Sequence, residues 1–447
     1  MKNSGVEWIG EIPDDWEVTP LKKLFSFGKG LPITKENLVE KGLPVISYGQ
    51  IHSKSNTGTK LQSELLRYVS NSYLDSNPNS LVHSGDFIFA DTSEDLEGCG
   101  NCCYIDKEIK LFAGYHTVIL QSKISKDNKY LAYLFKTDEW RKQLREKLVE
   151  VKLYSITQKA LKSTSVILPP KPTQQRIASY LDKKCSKIEE TIQKQQQVIE
   201  KLKAYKQSLI TEAVTGKIKI QNGKACGKYE EYKDSGVEYL GSIPKNWNVK
   251  RLRYIGKCQN GISKGGEFFG SGYPFVSYGD VYNNLVLPET VSGLIESTHE
   301  EQENYSVKAG DIFFTRTSET IEEVGFTSVC LKTIENATFA GFVIRVRPFT
   351  DDLLPGFSKY YFSSDAHRRF FVKEMNLVTR ASLGQGLLKR LPVLLPSKDE
   401  QKNIADYLDK KCLVINNTIE KKHKLIEKLT EYKKSLIYEC VTGKKEI

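Results

Sequence analysis

Acidic residues are the first candidates for chemistry in this 447-residue chain. Asp86 or Asp91, followed by a Glu-x-Lys pattern at Glu108, supplies the residue types with which nucleases hold Mg²⁺. The second half of the chain lacks this pattern, because Asn and Ala follow Glu335. Short charged patterns also recur by chance in a sequence that is 27% charged. We therefore predict no catalytic residue here.

Other motifs do not supply a reactive or metal-binding centre. Cys99, Cys102 and Cys103 form a dense CGNCC cluster, but a structural zinc site needs a second Cys or His pair, and none has suitable spacing. The HEEQE sequence at His299 lacks the second histidine of a zinc-protease helix. The two VTGK sequences lack the upstream glycine of a phosphate-binding loop. The sequence therefore favours a binding role, with no metal and no cofactor in this chain.

The overall composition narrows the class of protein. Nine cysteines, an odd number, are typical of a reducing compartment. A net charge of +11 favours contact with nucleic acid, whose phosphates attract Lys and Arg. No apolar stretch approaches the ~20 residues of a membrane helix, and the N-terminus has no apolar signal region. We expect a cytoplasmic protein with no membrane partner.

An internal repeat determines the organisation of the chain. The phrase SGVEWIGEIPDDWEV at Ser4 returns at Ser235 as SGVEYLGSIPKNWNV, with nine of fifteen positions identical. Residues 177–217 align without gaps to residues 404–444, with 26 of 41 identical. The intervening regions share only short anchors, such as SGDFIFADTSED at Ser84 and AGDIFFTRTSET at Ala309. Each of the two copies therefore has a fixed part and a divergent part.

The fixed part is predicted to be a long helix. Ser397 and Glu400 fit a capping box, Thr173 is the expected cap in copy one, and Gly216 and Gly443 suit the helix ends. Apolar residues recur at alternating spacings of four and three, which predicts a coiled coil. The residues predicted to pair the helices are Leu181, Ile188, Ile192, Ile199, Leu202, Leu209, Leu408, Ile415, Ile419, Ile426, Leu429 and Leu436. If the helices pair antiparallel, the copies are related by a pseudo-two-fold axis; packing of each helix on its own domain is the alternative.

The divergent parts are predicted to be α/β (α+β) domains in tandem. Strand-like runs begin at Leu43, Asp86 and Tyr115 and recur in copy two, and helices are expected over residues 130–148 and 357–375. The predicted domains are 1–168 and 235–395, with spacer helices in 169–217 and 396–447 and a polar linker over 218–234.

The sequence resembles the specificity subunits of Type I restriction–modification systems. The helix entries LPPKPTQQRIASYLDKK and LPSKDEQKNIADYLDKK, and the repeated opening phrase, carry this resemblance over nearly the whole chain. It implies that each divergent part is a target-recognition domain that reads one half of a split, asymmetric site in double-stranded DNA. It also implies that the paired helices act as a spacer and dock two methylation subunits. Copy one departs at Thr173, where copy two has Glu400.

The resemblance further implies the division of chemistry in a complex. Methylation subunits would use S-adenosylmethionine to methylate adenine, and two restriction (motor) subunits would hydrolyse ATP and cleave DNA with Mg²⁺. The chain itself would have no intrinsic catalysis. A stand-alone nuclease or methyltransferase, and a coiled-coil adaptor that binds only proteins, are the alternatives.

Polar residues that follow the shared strand anchors are the predicted DNA contacts, since base edges are read by polar side chains and phosphates by Lys and Arg. In copy one these residues are Lys29, Tyr48, Gln50, His52, Lys54, Asn56, Thr92, Ser93, Gln158 and Lys162. In copy two they are Lys264, Tyr278, Asp280, Tyr282, Asn283, Arg316, Thr317, Ser318, Gln385 and Lys389.

Overall fold

The computed structural model describes residues 1–6, 9–123, 127–150, 153–318, 323–374 and 381–447. The chain forms two compact units. Unit 1 consists of Met1–Gln195 and Lys424–Ile447, and unit 2 is Gln196–His423. Each unit therefore contains one divergent part of the repeat together with segments of both long helices.

Unit 1 is built from short strands and short helices around the start of the central helix. Its strands are Lys2–Asn3, Glu11–Ile12, Glu17–Pro20, Phe25–Lys29, Leu43–Ile46, Arg67–Val69, Leu81–Val82, Phe87–Ala90, Thr92–Ser93, Cys102–Tyr104, Leu111–Ala113, Thr117–Ser122, Val149–Glu150, Tyr154–Ser155 and Ser165–Leu168. Its α-helices, apart from the two long ones, are Leu21–Leu24, Tyr48–Ile51, Tyr73–Ser76, Lys129–Leu134, Asp138–Arg145 and Gln158–Lys162. Single 3₁₀ turns occupy Lys35–Asn37, Ser63–Leu65 and Pro78–Ser80.

Unit 2 repeats this construction with different loops. Its strands are Ile220–Gln221, Lys224–Ala225, Tyr232–Asp234, Ser242–Pro244, Asn248–Arg251, Gly256–Asn260, Phe269–Val276, Leu294–Ile295, Ile312–Thr315, Thr317–Ser318, Thr327–Val329, Thr338–Phe339, Val343–Pro348, Ala381–Ser382 and Pro392–Leu395. Its short α-helices are Tyr278–Asn283, His299–Asn304, Pro355–Tyr361, Asp365–Glu374 and Gln385–Leu388, and 3₁₀ turns occupy Leu252–Tyr254 and Gly266–Phe268.

The same antiparallel four-stranded sheet lies at the centre of each unit. In unit 1 its spatial order is Cys102–Tyr104, Phe87–Ala90, Thr117–Ser122 and Phe25–Lys29. In unit 2 the corresponding strands are Thr327–Val329, Ile312–Thr315, Val343–Pro348 and Gly256–Asn260. A second sheet in each unit contains one parallel pair, Leu43–Ile46 with Leu111–Ala113 or Phe269–Val276 with Thr338–Phe339. The predicted mixed α/β class and its strand anchors are confirmed.

The helices predicted over residues 130–148 and 357–375 are each two shorter helices. Unit 1 has Lys129–Leu134 and Asp138–Arg145, and unit 2 has Pro355–Tyr361 and Asp365–Glu374. Thr137 explains the break, because it is extended (φ −75°, ψ 139°) and its side chain caps the second helix at the Trp140 N–H.

The long helices run over Lys171–Val214 and Lys398–Val441, and we call them the central and the C-terminal long helix. In copy two Ser397 and Glu400 form the predicted capping box. In copy one the expected Thr173 cap is wrong, since the helix already begins at Lys171 and Thr173 lies inside it. Gln174 ties down this end instead, donating to the Pro169 carbonyl at 2.8 Å.

Within unit 1 the two long helices pack antiparallel. Leu181 and Ile188 of the central helix are buried in one core with Leu436 of the C-terminal helix. We call the row of apolar residues that pairs the helices the seam. Lys433 is a polar residue at one position of this row, and its Nζ is 2.9 Å from Glu189 Oε1. Two further residues predicted to pair the helices in unit 1, Ile192 and Leu429, pack partly buried on the same core.

Within unit 2 the same arrangement uses the other halves of the helices. Leu209 is buried in one core with Leu408 and Ile415, and Leu202 and Ile419 pack partly buried against it. Ile199 is also buried, and in unit 1 Ile426 is half-buried. Lys206 occupies the repeat position of Lys433, and its Nζ lies 3.0 Å from Asn416 Oδ1. The pseudo-two-fold axis stays a prediction.

One tyrosine in each unit attaches the small helices to a long helix. Tyr133 donates to Asp182 Oδ1 at 2.6 Å, and Tyr360 donates to Asp409 Oδ1 at the same distance. Both aspartates belong to the repeated YLDKK sequence. Burial raises the pKa of both tyrosines, so they remain donors at neutral pH. The YLD sequence therefore has a structural explanation.

The opening phrase of each copy packs on the end of a long helix. In unit 1 Trp16 is buried and contacts Tyr130 edge-to-face, with ring centroids 6.4 Å apart. In unit 2 Trp247 is fully buried, and its indole N–H donates to Glu400 at 3.2 Å. The phrase is therefore a packing element.

The segment predicted as a polar linker, residues 218–234, has regular structure. Ile220–Gln221 pairs with Lys224–Ala225, and Tyr232–Asp234 pairs with Ser242–Pro244. Tyr229 lies with its ring centroid 5.9 Å from that of Trp247, which holds the segment on the unit 2 core. No helix among the described residues is long and apolar enough to cross a bilayer.

Candidate nucleic-acid interface

A short helix follows the same strand in both units and carries several predicted contacts. In unit 1 it is Tyr48–Ile51, where Gln50 Oε1 accepts from the Ser47 N–H at 3.1 Å. In unit 2 it is Tyr278–Asn283, where Asp280 Oδ2 accepts from the Ser277 N–H at 2.8 Å. Gln50 and Asp280 therefore act as helix caps, a role that their position three residues after a serine could have indicated.

Tyr48 forms the centre of an aromatic cluster in unit 1. Its ring centroid lies 5.6 Å from Tyr115, 5.4 Å from His116 and 6.3 Å from His52, all edge-to-face. Tyr48, His52 and His116 line an open cleft of about 810 Å³, and Glu94, Asp95 and Glu97 line it as well. This surface therefore presents mainly hydrogen-bond acceptors and aromatic edges.

The tyrosines of unit 2 stack instead. Tyr278 and Tyr282 have ring centroids 5.8 Å apart, and Tyr282 stacks on Phe326 at 5.1 Å. The Tyr278 hydroxyl donates to the Thr317 carbonyl at 2.8 Å. The neighbouring Asn283 is exposed, and its amide donates to the Gly279 carbonyl. The same backbone thus carries a different aromatic surface in each unit.

Two residues of unit 1 that were predicted to contact DNA, His52 and Asn56, form hydrogen bonds within the protein instead. His52 lies with Nε2 2.8 Å from the Thr92 carbonyl and Nδ1 3.2 Å from the Asn101 amide. Asn56 donates to the Ile51 and Cys102 carbonyls at 2.7 and 3.0 Å. Both side chains fix the loop after the short helix. Lys54, between them, is exposed.

The Thr-Ser pair that follows the strand Phe87–Ala90 or Ile312–Thr315 also forms hydrogen bonds within the protein. Thr92 donates to Asp91 Oδ1 at 2.8 Å, and Ser93 is buried and donates to the Asp95 carbonyl at 2.7 Å. In unit 2 Ser318 donates to Glu323 at 3.1 Å. Thr317 and Arg316 are half-buried. These residues therefore lie at the margin of the surface, and they are buried or only partly exposed to solvent.

Gln158 and Gln385 connect a short helix to the end of a central-sheet strand. Gln158 donates to the Gly28 carbonyl at 3.0 Å, and Gln385 donates to Asn260 Oδ1 at 3.0 Å. Their shared position in the repeat therefore has a packing role in both units.

The lysines predicted to contact phosphates differ in whether their ammonium groups are exposed or already paired within the protein. Lys29 and Lys389 are exposed, and so is Lys162, whose ammonium lies 5.3 Å from the Phe27 ring centroid. Lys264 is held internally, because its Nζ lies 2.6 Å from Glu301 Oε2 and 2.7 Å from the Glu296 carbonyl. That salt bridge neutralises the charge that a phosphate would need.

The sequence prediction passed over an exposed cationic edge in each unit. Unit 1 exposes Lys22, Lys23 and Lys159 near the Phe25–Lys29 strand of the central sheet. Unit 2 exposes Arg253, which stacks on Tyr254 at 4.7 Å and whose backbone N–H donates to the Lys389 carbonyl. The dense KRLRY sequence at residues 250–254 was the available signal.

Asp86 and the cysteines of the CGNCC cluster have structural roles. Asp86 accepts from the His83 and Ser122 N–H groups at 2.8 and 2.9 Å, and burial raises its pKa. Cys102 and its cluster neighbours are buried, and burial raises the pKa of Cys102 to about 12. Among the described residues, no group of three or more His, Cys, Asp or Glu could hold a metal ion.

Comparison with known proteins identifies the family. Residues 13–201 and 244–431 match the Type I restriction modification DNA specificity domain. Since these two matches cover more than half of the chain, it belongs to the family of specificity subunits of Type I restriction–modification systems.

The chain is similar to the EcoKI specificity subunit of Escherichia coli, with 23% identity over 92% of this chain and 85% of that protein. It is also similar to the putative MjaX specificity subunit of Methanocaldococcus jannaschii, with 25% identity over 98% and 95%.

Two solved structures share the fold. A chain from a structure on complex assembly and conformational transition of the type I R-M system has a TM-score of 0.73, 16% identity and coverage of 97% of this chain and 100% of that one. The HsdS subunit from Thermoanaerobacter tengcongensis has a TM-score of 0.53, 16% identity and coverage of 97% and 98%.

Proposed function

We propose that each unit reads one half of a split, asymmetric site in double-stranded DNA. The observation that carries this proposal is the repeated short helix after the second-sheet strand. Ser47 or Ser277 caps it in both units, yet the residues that follow diverge. Equivalent backbones with different side chains are what two readers of unlike half-sites require. The exposed cationic edges add sequence-independent attraction to phosphates.

The long helices are proposed to space the two readers and to dock two methylation subunits. Each helix has 44 residues, about 66 Å at ~1.5 Å per residue, and contributes to both units. Outside their seams they expose Val198 and Tyr205, and Leu425 and Tyr432 at the same repeat positions. Residues seven apart lie on one helix face, so each pair forms an exposed apolar surface suited to a protein partner.

The chain is proposed to have no chemistry of its own. S-adenosylmethionine would belong to the methylation subunits, and ATP and Mg²⁺ to two restriction subunits. Asp86 supports this division, since both of its carboxylate oxygens are used by backbone N–H groups. Incubation of the purified chain with DNA and Mg²⁺ should give no cleavage, and cleavage would overturn this part of the proposal.

Methylome sequencing of the host, with and without the gene, tests the whole proposal. We expect one bipartite methylated motif to disappear when the gene is deleted. Replacing residues 20–155 by the corresponding part of a foreign specificity subunit should change one half of the motif and leave the other unchanged. A change in both halves, or an unchanged methylome, would contradict the assignment of one half-site to each unit.

The spacer role has its own test. Adding one heptad after residue 195 and one after residue 422 keeps the seam in register and lengthens each helix by about 10 Å. The gap between the half-sites should then grow by about three base pairs, at ~3.4 Å each. A heptad in only one helix is the control and should prevent methylation. An unchanged gap in the doubly extended protein would refute the spacer.

A further inference from the structure

One backbone position after the central strand is held identically in both units but carries opposite charges. In unit 1 it is Asp91, whose N–H donates to the His116 carbonyl at 3.1 Å. The Asp91 carbonyl accepts from the Ile156 N–H at 2.8 Å. Both backbone groups are therefore fixed, and the direction in which the side chain leaves the chain is fixed with them.

In unit 2 Arg316 occupies the equivalent position and forms the same two kinds of backbone hydrogen bond. The Arg316 N–H donates to the Phe342 carbonyl at 2.9 Å, and its carbonyl accepts from the Leu383 N–H at 2.7 Å. The next two residues, Thr317–Ser318, pair with Ala381–Ser382, just as Thr92–Ser93 pair with Tyr154–Ser155. The positions of Asp91 and Arg316 are thus structurally equivalent, and so are those of their carbonyl partners.

In unit 1 this position is an acceptor site. The Asp91 side chain is one-third exposed, and its Oδ1 accepts from Thr92 at 2.8 Å and lies 3.4 Å from His116 Nδ1. His116 adopts φ +54°, a left-handed conformation uncommon for a non-glycine residue, and its side chain remains 59% exposed. The neighbouring cleft adds Glu94 and Asp95.

In unit 2 the same position is a donor site beside an apolar one. Arg316 supplies the planar fork of N–H groups that matches two acceptors on one base edge. Phe342, at the position of His116, is 63% exposed, which is unusual for a phenylalanine in a folded domain. An arginine whose backbone N–H donates to the carbonyl of an exposed phenylalanine brings a donor residue and an apolar residue to one position, and these are the two residue types that read guanine and thymine in the major groove.

We propose that this position determines specificity in both half-sites. Arg316 donates to O6 and N7 of a guanine, and Phe342 contacts the methyl group of an adjacent thymine. Asp91 accepts from the N4 amino group of a cytosine, with His116 beside it. This inference rests on the proposed function and names the bases that these two positions read.

Selection from a DNA library tests the inference. The full-length chain, purified with the methylation subunits of its host, is mixed with a random duplex library, and bound duplexes are sequenced. Arg316→Ala should lower the preference for guanine at one position by roughly 5- to 150-fold. Arg316→Gln should shift that position toward adenine, because Gln pairs with adenine N6 and N7. Asp91→Asn should weaken the cytosine preference in the other half-site.

Arg253→Ala is the matched control, since Arg253 is an exposed cation of the same unit. It should weaken binding to all sequences and leave the base preferences unchanged. A wild-type complex that selects no motif would refute the proposed function. A wild-type bipartite motif whose base preferences survive both Arg316 variants would refute this inference alone. Circular dichroism of each variant confirms folding, and the gain of adenine by Arg316→Gln cannot arise from unfolding.

Discussion

Gly216, at the end of the central long helix, should tolerate no β-carbon. Its φ is +71°, the left-handed region that favours glycine. A β-carbon there would lie 2.4 Å from Pro244 Cδ and 2.5 Å from Pro244 Cγ, with Trp247 at 3.3 Å. Carbon atoms in contact are usually ~3.5–4.0 Å apart. Since the proline ring is rigid, the opening phrase of copy two must move away from the helix.

The expected cost has two parts. A left-handed alanine costs about 1–2 kcal/mol, and overpacking of this kind costs about 1–3 kcal/mol, so Gly216→Ala should destabilise the protein by about 2–5 kcal/mol. Gly241→Ala is the control, because Gly241 has φ +62° and no atom within 4 Å of its β-carbon position. Gly241→Ala should therefore lower the free energy of unfolding only by the conformational cost of a left-handed alanine, about 1–2 kcal/mol.

Urea unfolding of the full-length chain, followed by tryptophan fluorescence, measures both variants. Unit 1 provides a repeat of the experiment: Gly443→Ala would place a β-carbon 2.5 Å from Pro13 Cδ, whereas Gly10 has open space. If Gly216→Ala and Gly241→Ala lower the free energy of unfolding equally, and the unit 1 pair does the same, the close approach of proline to the helix end is refuted.

Two further predictions concern stability. Burial lowers the pKa of His367 to about 3, so the folded protein keeps it neutral while the unfolded chain binds a proton below about pH 6.5. Stability should therefore fall by about 2 kcal/mol from pH 7 to pH 5, and His367→Phe should flatten this profile in urea titrations; an equal slope in the variant would contradict the assignment. Leu436→Ala, in the buried seam, should cost about 2–5 kcal/mol of unfolding free energy. Leu425→Ala, on the exposed face, should cost less than about 0.5 kcal/mol while weakening co-purification with methylation subunits, and equal losses of stability would refute the seam.

Features encoded by nearby residues were predictable from the sequence. The heptad spacing placed Leu181 and Leu408 in buried helix seams, and the Ser397–Glu400 cap marked the start of the C-terminal helix. The strand anchors were predicted because a buried strand needs only a short apolar run. Thr137 was the exception, since a single capping side chain divided a predicted helix in two.

The sequence by itself determined the duplication, the long helices and the strand anchors, because repeats, heptads and caps depend on residues close together in the chain. Only the tertiary structure decided which polar side chains are available to DNA. The Asn56 amide donates to the carbonyl of Cys102, which is 46 residues away in the chain. The Lys264 ammonium forms a salt bridge with Glu301, which is 37 residues away. The equivalence of Asp91 and Arg316 likewise depends on hydrogen bonds to distant loops. Such contacts have no local signal, since folding alone brings these residues together.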